Sequence, residues 1–151
     1  MSGLGQPFIS TVEGTLDAKG RVCIPAAYRQ ILAVQNTPGV YICPSFSEAT
    51  LEGFGSEVLQ AFHSQQAEAD PFFTPAFNDK AFAVLSVTEL LPFDENGRVR
   101  LPVAFIAHAA LKDSVVFVGM GTKFQIWEPV RFAEMRAARL KRALASLGGG
   151  A

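Results

Sequence analysis

Hydrophobic and polar positions divide the first half of the chain into short alternating segments and two helical segments. Alternation of apolar and polar residues predicts a strand, whereas apolar residues spaced by three and four predict a helix. The pattern predicts, in order, a strand, a return strand, a short helix, a hairpin and a longer helix. These elements are expected at 8–16, 21–24, 25–32, 40–43 with 49–52, and 56–69.

The second half of the chain repeats this order of elements. An extended segment is expected before a turn at Asn96-Gly97, followed by a return strand, a short helix, a hairpin and a closing helix. The segments are 81–93, 98–101, 102–111, 114–121 with 123–127, and Pro129 to Leu147. The pattern as a whole predicts an α+β chain that is mainly β.

The closing helix is predicted to be amphipathic. Its spacing directs four apolar residues inward, and five basic residues lie mostly on the outer face. The inward residues are Phe132, Met135, Leu140 and Leu144, and the basic residues are Arg131, Arg136, Arg139, Lys141 and Arg142. We interpret the basic face as solvent-exposed, which is the commonest role of such a run of charges. The alternatives are that it adds phosphate contacts or contacts a neighbouring subunit.

An internal repeat organises the chain. The segment "DAKGRVCIP" begins at Asp17, and "DENGRVRLP" begins at Asp94. The hairpins that follow also align, "GVYIC" with "SVVFV", so duplication is the best explanation. The sequence therefore predicts a tandem pseudo-repeat with modules at 1–67 and 81–151, joined by a connector at 68–80. Because the connector contains Phe72, Phe73 and Phe77, we expect it to dock rather than to remain in solvent.

Charge restricts the kind of partner that the chain could bind. The 151 residues carry a formal net charge of -1, so the molecule as a whole offers no strong field for nucleic acid. Residues 1–75 contain three Lys or Arg against seven acids, and residues 76–151 contain ten against seven. A basic site must therefore be local, or must arise when an oligomer repeats a weak patch.

Several other kinds of site are disfavoured by the sequence. Cys23 and Cys43 form no C-x-x-C pair and are expected to be buried free thiols. His63 and His108 lack acids or cysteines at metal-ligand spacing. The G-x-G at 119–121 lies between two predicted strands, which indicates a hairpin turn instead of a dinucleotide site. We therefore expect no catalytic residues, no metal and no cofactor, and the chain is predicted not to be an enzyme.

The repeated D-x-x-G-R turn has two interpretations. In the first, Asp accepts hydrogen bonds within the turn, Gly provides the backbone geometry, and Arg pairs with a nearby acid. In the second, the exposed Arg is a recognition group, because a guanidinium matches guanine edges and phosphates. The first interpretation would suffice for one copy. Two copies that present Arg at the same point of a hairpin favour the second.

The segments "LDAKGRVCIPAAYR", "FDENGRVRLP" and "VVFVGMGTKFQIWEPVRF" together resemble the MraZ family of bacterial transcriptional regulators. The resemblance covers roughly residues 8–140. It implies two tandem modules like those of the SpoVT-AbrB and MazE-like proteins. These would form a swapped-hairpin, AbrB-like β-barrel with flanking helices, to which one chain contributes both halves.

The same resemblance implies a sequence-specific DNA-binding regulator, in most cases a repressor. Its partner would be double-stranded promoter DNA with repeated short boxes, in the promoter of the division and cell-wall gene cluster. The family resemblance further implies a homo-oligomeric ring, expected here to have eight or more subunits, in the cytoplasm and associated with the nucleoid, without membrane contact. The alternative is an oligomeric interaction scaffold or an antitoxin-like module that binds an acidic partner.

By resemblance, the DNA-contacting residues are the acids and cations of the two turns. The set comprises Asp17, Lys19, Arg21, Asp94 and Arg98, with Arg100 as an added cation on the same strand face as Arg98. The second turn departs from the first, since Glu95 and Asn96 stand where the first has Ala18 and Lys19. We therefore expect the second turn to bind DNA less strongly.

Overall fold

The structure of the chain is a computed structural model that describes residues 5–69 and 74–148. Within these ranges it contains eight strands and five helices. The strands are β1 (Thr11–Thr15), β2 (Arg21–Cys23), β3 (Val40–Pro44), β4 (Leu51–Phe54), β5 (Glu89–Leu91), β6 (Arg98–Arg100), β7 (Ser114–Gly119) and β8 (Phe124–Trp127). The helices are α1 (Ala26–Val34), α2 (Ser56–Ala69), α3 (Pro75–Val84), α4 (Val103–His108) and α5 (Pro129–Gly148).

Six of the strands form one antiparallel sheet in which the two halves of the chain interleave. The strand order is β1-β7-β8-β4-β3-β5, so both edge strands pair with a strand from the other half. The strands β4 and β8, one from each hairpin, pair at the centre. This arrangement confirms the predicted α+β fold with exchanged strands. Among the described residues the sheet is open, with β1 and β5 at its edges, and does not close into a barrel.

The remaining two strands, β2 and β6, form a separate two-stranded sheet, and Val22 of β2 also makes an isolated bridge with Leu16. Their central residues, Val22 and Val99, lie opposite each other and are almost fully buried in the hydrophobic core. The burial of these two valines fixes which face of this short ribbon points inward, because successive side chains on a strand point to opposite faces. Helices α1 and α4 follow the two strands, with Tyr28 and Phe105 buried in the same core.

Helix α3 was not expected. Residues 81–93 were predicted to be extended, but only Glu89–Leu91 is a strand, and Pro75–Val84 is helical. The hydroxyl of Thr74 accepts a hydrogen bond from the backbone N–H of Phe77 at 3.2 Å, and Pro75 occupies the first turn. A capping threonine followed by proline is a strong helix-start signal, and it outweighed the apolar pattern downstream.

Helix α5 has the predicted bounds, but its distal half is not packed inward. Phe132 and Met135 are half-buried. Leu140 and Leu144 are 49% and 68% exposed, so the inward prediction was wrong for these two residues. No described residue buries these two leucines.

Of the three aromatic residues in the connector that were expected to dock, the structure describes one. Phe72 and Phe73 lie outside the described residues, and Phe77 is half-buried within α3. Division of the chain at residues 67 and 80 stays a prediction. None of the helices that the structure describes combines the length and apolar character needed to cross a membrane.

Candidate nucleic-acid interface

The first D-x-x-G-R turn is held together by the carboxylate of Asp17. One oxygen, Oδ1, accepts hydrogen bonds from the backbone N–H groups of Lys19 at 2.9 Å and Arg21 at 2.8 Å. The other oxygen, Oδ2, accepts a hydrogen bond from Arg21 Nε at 2.7 Å. The backbone closes the turn through the N–H of Gly20, which donates to the Asp17 carbonyl at 3.0 Å. The arginine is thus oriented by the turn that precedes it.

The second turn reproduces this arrangement atom for atom. Asp94 Oδ1 accepts hydrogen bonds from the backbone N–H groups of Asn96 and Arg98 at 2.8 and 2.9 Å. Arg98 Nε donates to Asp94 Oδ2 at 2.8 Å, and Gly97 N–H donates to the Asp94 carbonyl at 3.1 Å. The structure therefore shows the first interpretation of the motif, in which the acid organises the turn and pairs with the arginine. Recognition of a partner by these arginines stays a prediction.

Glycine is required at the fourth position of each turn. Gly20 has a φ of 80° and Gly97 a φ of 76°, a left-handed conformation that side chains with a Cβ rarely adopt. The hydrogen bonds also affect the acids electrostatically. The Arg21 backbone N–H is the main group that lowers the pKa of Asp17 below 3.8, and the Arg98 backbone N–H does the same for Asp94. Hydrogen bonds to the charged form favour that form.

Each guanidinium keeps its outer edge available. In both turns the aspartate is bound by Nε, and neither Arg21 nor Arg98 makes a further hydrogen bond from its two Nη atoms to any described residue. Their side chains are 27% and 32% exposed. An arginine that is fixed at Nε and open at its two Nη atoms is preorganised to donate two parallel hydrogen bonds.

Pairing of β2 with β6 brings the two turns into one surface. Arg21 lies opposite Arg100, and Cys23 lies opposite Arg98. All four side chains are on the face turned away from the buried valines, so three arginines share one short ribbon. We call this the ribbon face, made of Arg21, Cys23, Arg98 and Arg100. Cys43 is buried and both thiols are free as predicted, but Cys23 is exposed, so its predicted burial was wrong.

The turns flank the ribbon face at opposite ends. The N–H of Leu101 donates to the carbonyl of Gly20 at 2.8 Å, and the N–H of Ile24 donates to the carbonyl of Gly97 at 3.1 Å. These equivalent bonds extend the ribbon by one position at each end. Lys19 is exposed at the first turn, and Asn96 is exposed at the second. All six sequence-predicted site residues are therefore on the ribbon or in its two turns.

Arg29 belongs to the second turn, although its sequence position suggests the first. Its guanidinium lies so close over Gly97 that a Cβ there would be 2.6 Å from Arg29 Cζ. Its Nε donates to the carbonyl of Ile24 at 3.0 Å. The corresponding neighbour of Gly20 is the apolar Ile106. Since the strands of the two halves interleave, the helix of each half covers the turn of the other half. The 77-residue offset between Asp17 and Asp94 also relates Arg29 to Ile106.

No cluster of three or more His, Cys, Asp or Glu side chains suitable for a metal ion occurs within residues 5–69 and 74–148. The three arginines of the ribbon face present hydrogen-bond donors and positive charge.

Comparison with known proteins identifies relatives along nearly the whole chain. The family described as "MraZ protein, putative antitoxin-like" matches residues 84–144. The "Transcriptional regulator MraZ" of Azorhizobium caulinodans is 41% identical over 148 residues, which cover 94% of each chain. The protein of the same name from Xanthobacter autotrophicus is 39% identical over 92% of each chain. That from Rhodospirillum rubrum is 37% identical over 97% of this chain and 94% of its own. With this identity sustained along nearly its full length, the chain belongs to the MraZ family.

Proposed function

We propose that this chain is a DNA-binding transcriptional regulator whose ribbon face enters the major groove of promoter DNA. The observation that carries the proposal is the three-arginine ribbon face, flanked at both ends by turns that orient Arg21 and Arg98 through Nε. The names of the relatives, all transcriptional regulators and not enzymes, support the same function. The residues proposed to contact DNA are Asp17, Lys19, Arg21, Asp94, Arg98 and Arg100.

The dimensions of the ribbon suit this role. The major groove is about 12 Å wide and admits a two-stranded β-ribbon. Each strand of the ribbon has three residues, so the turns lie roughly 10 Å apart along it, at about 3.3 Å per residue. Arg21 and Arg98 would each donate two hydrogen bonds through their Nη atoms to the O6 and N7 acceptors of a guanine. The aspartates would act as positioning groups, because they hold the guanidinium without occupying its outer edge.

The net charge of -1 favours DNA binding by more than one subunit. A single ribbon carries few cations and would neutralise few phosphates, so its affinity from counterion release would be small. We propose that the chain forms a homo-oligomeric ring of eight or more subunits that binds several short DNA boxes at once. Linked sites gain affinity through effective concentration without any new contact.

A gel-shift series at fixed salt tests the proposal. Three probes of equal length carry one box, three boxes at native spacing, or three boxes separated by an additional half-turn of about 5 base pairs. We expect the native array to bind most tightly, because the half-turn insertion places neighbouring boxes on opposite sides of the duplex. Equal binding to all three probes would contradict array recognition.

The specific promoter and the direction of regulation are part of the proposal. We propose that the chain represses the promoter of the division and cell-wall gene cluster, upstream of its own gene, and acts in the nucleoid-containing cytoplasm. Footprinting on that upstream DNA should protect repeated short segments. A reporter driven by the same DNA should gain expression when Arg21→Ala replaces the normal chain. Protection without a change in reporter output would contradict repression and leave DNA binding intact.

A second candidate function uses the same surface. The family description includes the term antitoxin-like, and an arginine-rich face could bind an acidic protein. Competition separates the two functions. Binding to promoter DNA that persists in excess unrelated DNA supports sequence-specific readout. Binding that is removed equally by any polyanion favours the acidic-partner alternative.

A further inference from the structure

An unpaired apolar seam runs along helix α5. Its residues recur at alternating spacings of three and four, which is the heptad pattern of a coiled coil. The seam consists of Val130, Ala133, Ala137, Leu140, Leu144 and Leu147. All six side chains are exposed, and Val130, Leu144 and Leu147 are 65%, 68% and 86% exposed.

The seam lies on a different side of α5 from the residues that hold the helix to the body. Phe132, Met135 and Arg139 are half-buried and lie about 130° around the helix from the centre of the seam, at 100° per residue. Arg139 also pairs with Glu48 in the loop between β3 and β4. The helix is therefore anchored through one stripe, and the seam is left facing outward along five turns.

The size of the seam residues changes along the helix. Small or β-branched residues occupy the first half, at Val130, Ala133 and Ala137, and leucines occupy the second half. A second α5 running antiparallel would place each small residue against a leucine of its partner. The layers would join residues 130 with 147, 133 with 144, and 137 with 140. Every layer then has a similar volume, which permits an even separation of the helix axes.

The charges beside the seam favour the same direction. Glu134 and Lys141 occupy equivalent flanking positions of successive heptads, and neither forms an ion pair with a described residue. In the antiparallel pair each Glu134 faces Lys141 of the second copy, which gives two opposite-charge contacts. A parallel pair would instead bring Arg136 against Lys141 and stack alanine on alanine.

We propose that α5 is a self-association helix that pairs antiparallel with α5 of a second copy of this chain through this seam. The contact is isologous, since the same surface is used on both copies. It goes beyond the ring proposed above, because a ring needs only head-to-tail contacts. The seam is short compared with a standard interface of about 800 Å² per partner, so it adds to other subunit contacts instead of replacing them.

Cysteine cross-linking between two differently tagged forms of the full chain tests the register. One form carries Ala133→Cys and the other Leu144→Cys, both in a Cys23→Ser background, while the buried Cys43 is retained. The antiparallel pair places 133 beside 144 at a separation a disulfide can span, about 6 Å between Cα atoms. In the same pair, residue 133 of one copy is offset from residue 133 of the second copy by the length of 11 residues, about 16 Å along the helix axis. A disulfide cannot span that distance.

We expect a disulfide-linked dimer of the two tags on a non-reducing gel and little product from either form alone. Ala138→Cys, exposed on another side of α5, replaces Ala133→Cys in a matched control and should give little product with Leu144→Cys. Three results would overturn the proposal: no mixed product from folded chains, product from each form alone, or equal product with the Ala138→Cys control. The samples contain no DNA, so failure here leaves the proposed DNA binding untouched.

A charge exchange supplies an independent measurement. Glu134→Lys and Lys141→Glu should each weaken self-association, because each creates two like-charge contacts. In sedimentation velocity, the concentration needed for self-association should rise by about two- to tenfold. The double variant Glu134→Lys/Lys141→Glu should restore the original behaviour. Arg142→Glu changes the charge on the side away from the seam and should have little effect. Additive weakening in the double variant would contradict the antiparallel pairing.

Discussion

The two D-x-x-G-R turns have the same geometry and different electrostatics. Their equivalent hydrogen bonds from arginine to aspartate agree within about 0.1 Å, and their glycines have nearly the same φ. The first turn carries Lys19 where the second carries Asn96, and the second adds Glu95 where the first has Ala18. Arg29 partly offsets this deficit because it covers the second turn, while Ile106 covers the first.

This difference shows which positions of the motif are structural and which are adjustable. Asp, Gly and Arg determine the turn, since their side chains or backbone angles make its closing interactions. The two middle residues contribute only backbone groups to the turn, so they can change charge without altering its shape. A duplicated site can therefore keep its geometry in both copies while the copies diverge in the affinity that they contribute.

The largest expected effect is the loss of DNA affinity in Arg21→Ala. The substitution removes two donors from a preorganised guanidinium, and we expect binding to weaken by about 1–3 kcal/mol. Gel shifts on the native-spaced array measure this loss, and unchanged circular dichroism confirms folding. Arg142→Ala changes an exposed arginine of α5, outside the ribbon face and its two turns, and serves as the control. Normal DNA binding by a folded Arg21→Ala chain would show that Arg21 does not contact DNA.

The glycines are expected to differ in their effect on stability. Either Gly20→Ala or Gly97→Ala forces alanine into a left-handed conformation, which costs about 1–2 kcal/mol. Gly97→Ala should be worse, since its Cβ would lie 2.6 Å from Arg29 Cζ, whereas the nearest atom to a Gly20 Cβ is 3.4 Å away. Thermal unfolding of both variants tests the order. If Gly97→Ala proved more stable than Gly20→Ala, the Arg29 side chain would be able to move aside without a cost in stability.

Arg98→Ala should weaken DNA binding less than Arg21→Ala does. Glu95 beside the second turn repels phosphate, so the contact that Arg98 makes is expected to contribute about half as much, roughly 1 kcal/mol. Titration of both variants against the same array gives the ratio. A larger loss from Arg98→Ala would reverse the ranking of the two turns and assign the dominant contact to the second.

Neutralising single charges in the turns should alter affinity by a few tenths of a kcal/mol. Glu95→Gln removes a negative charge and should strengthen binding slightly, and Lys19→Gln should weaken it by a similar amount. The dependence of affinity on salt should become steeper for Glu95→Gln and shallower for Lys19→Gln. Unchanged slopes would mean that these exposed side chains do not approach the phosphates.

Acid should produce the smallest effect, through Asp17 and Asp94. Both carboxyls have a pKa below 3.8 in the folded chain, so the stability that they provide is present above the pKa of the unfolded chain. It is lost as pH falls through the lower folded value. Unfolding curves from pH 5 downward should therefore show less pH dependence for Asp17→Asn/Asp94→Asn than for the unaltered chain. If stability depended on pH to the same extent in both chains, groups other than Asp17 and Asp94 would be responsible for the acid sensitivity.

Much of the geometry of the candidate site could be predicted from sequence because the two turns are local. The turn depends on residues four positions apart, and the 3.6-residue period gave the bounds of α2 as 56–69. The position of Arg29 could not be found in this way, because it depends on the exchange of strands between halves. The exposure of Leu140 likewise depends on which residues from elsewhere in the chain pack against α5, and the amphipathic pattern of the helix carries no such information.

The exchange of strands also has a consequence for synthesis of the chain. Thr11 in β1 pairs with Val118 in β7, more than one hundred residues later. The first half therefore leaves the ribosome without the strand that covers its edge, and contacts of such large sequence separation form slowly. We expect the half-synthesised chain to be the species most exposed to chaperones and to erroneous pairing with the half of a neighbouring polypeptide.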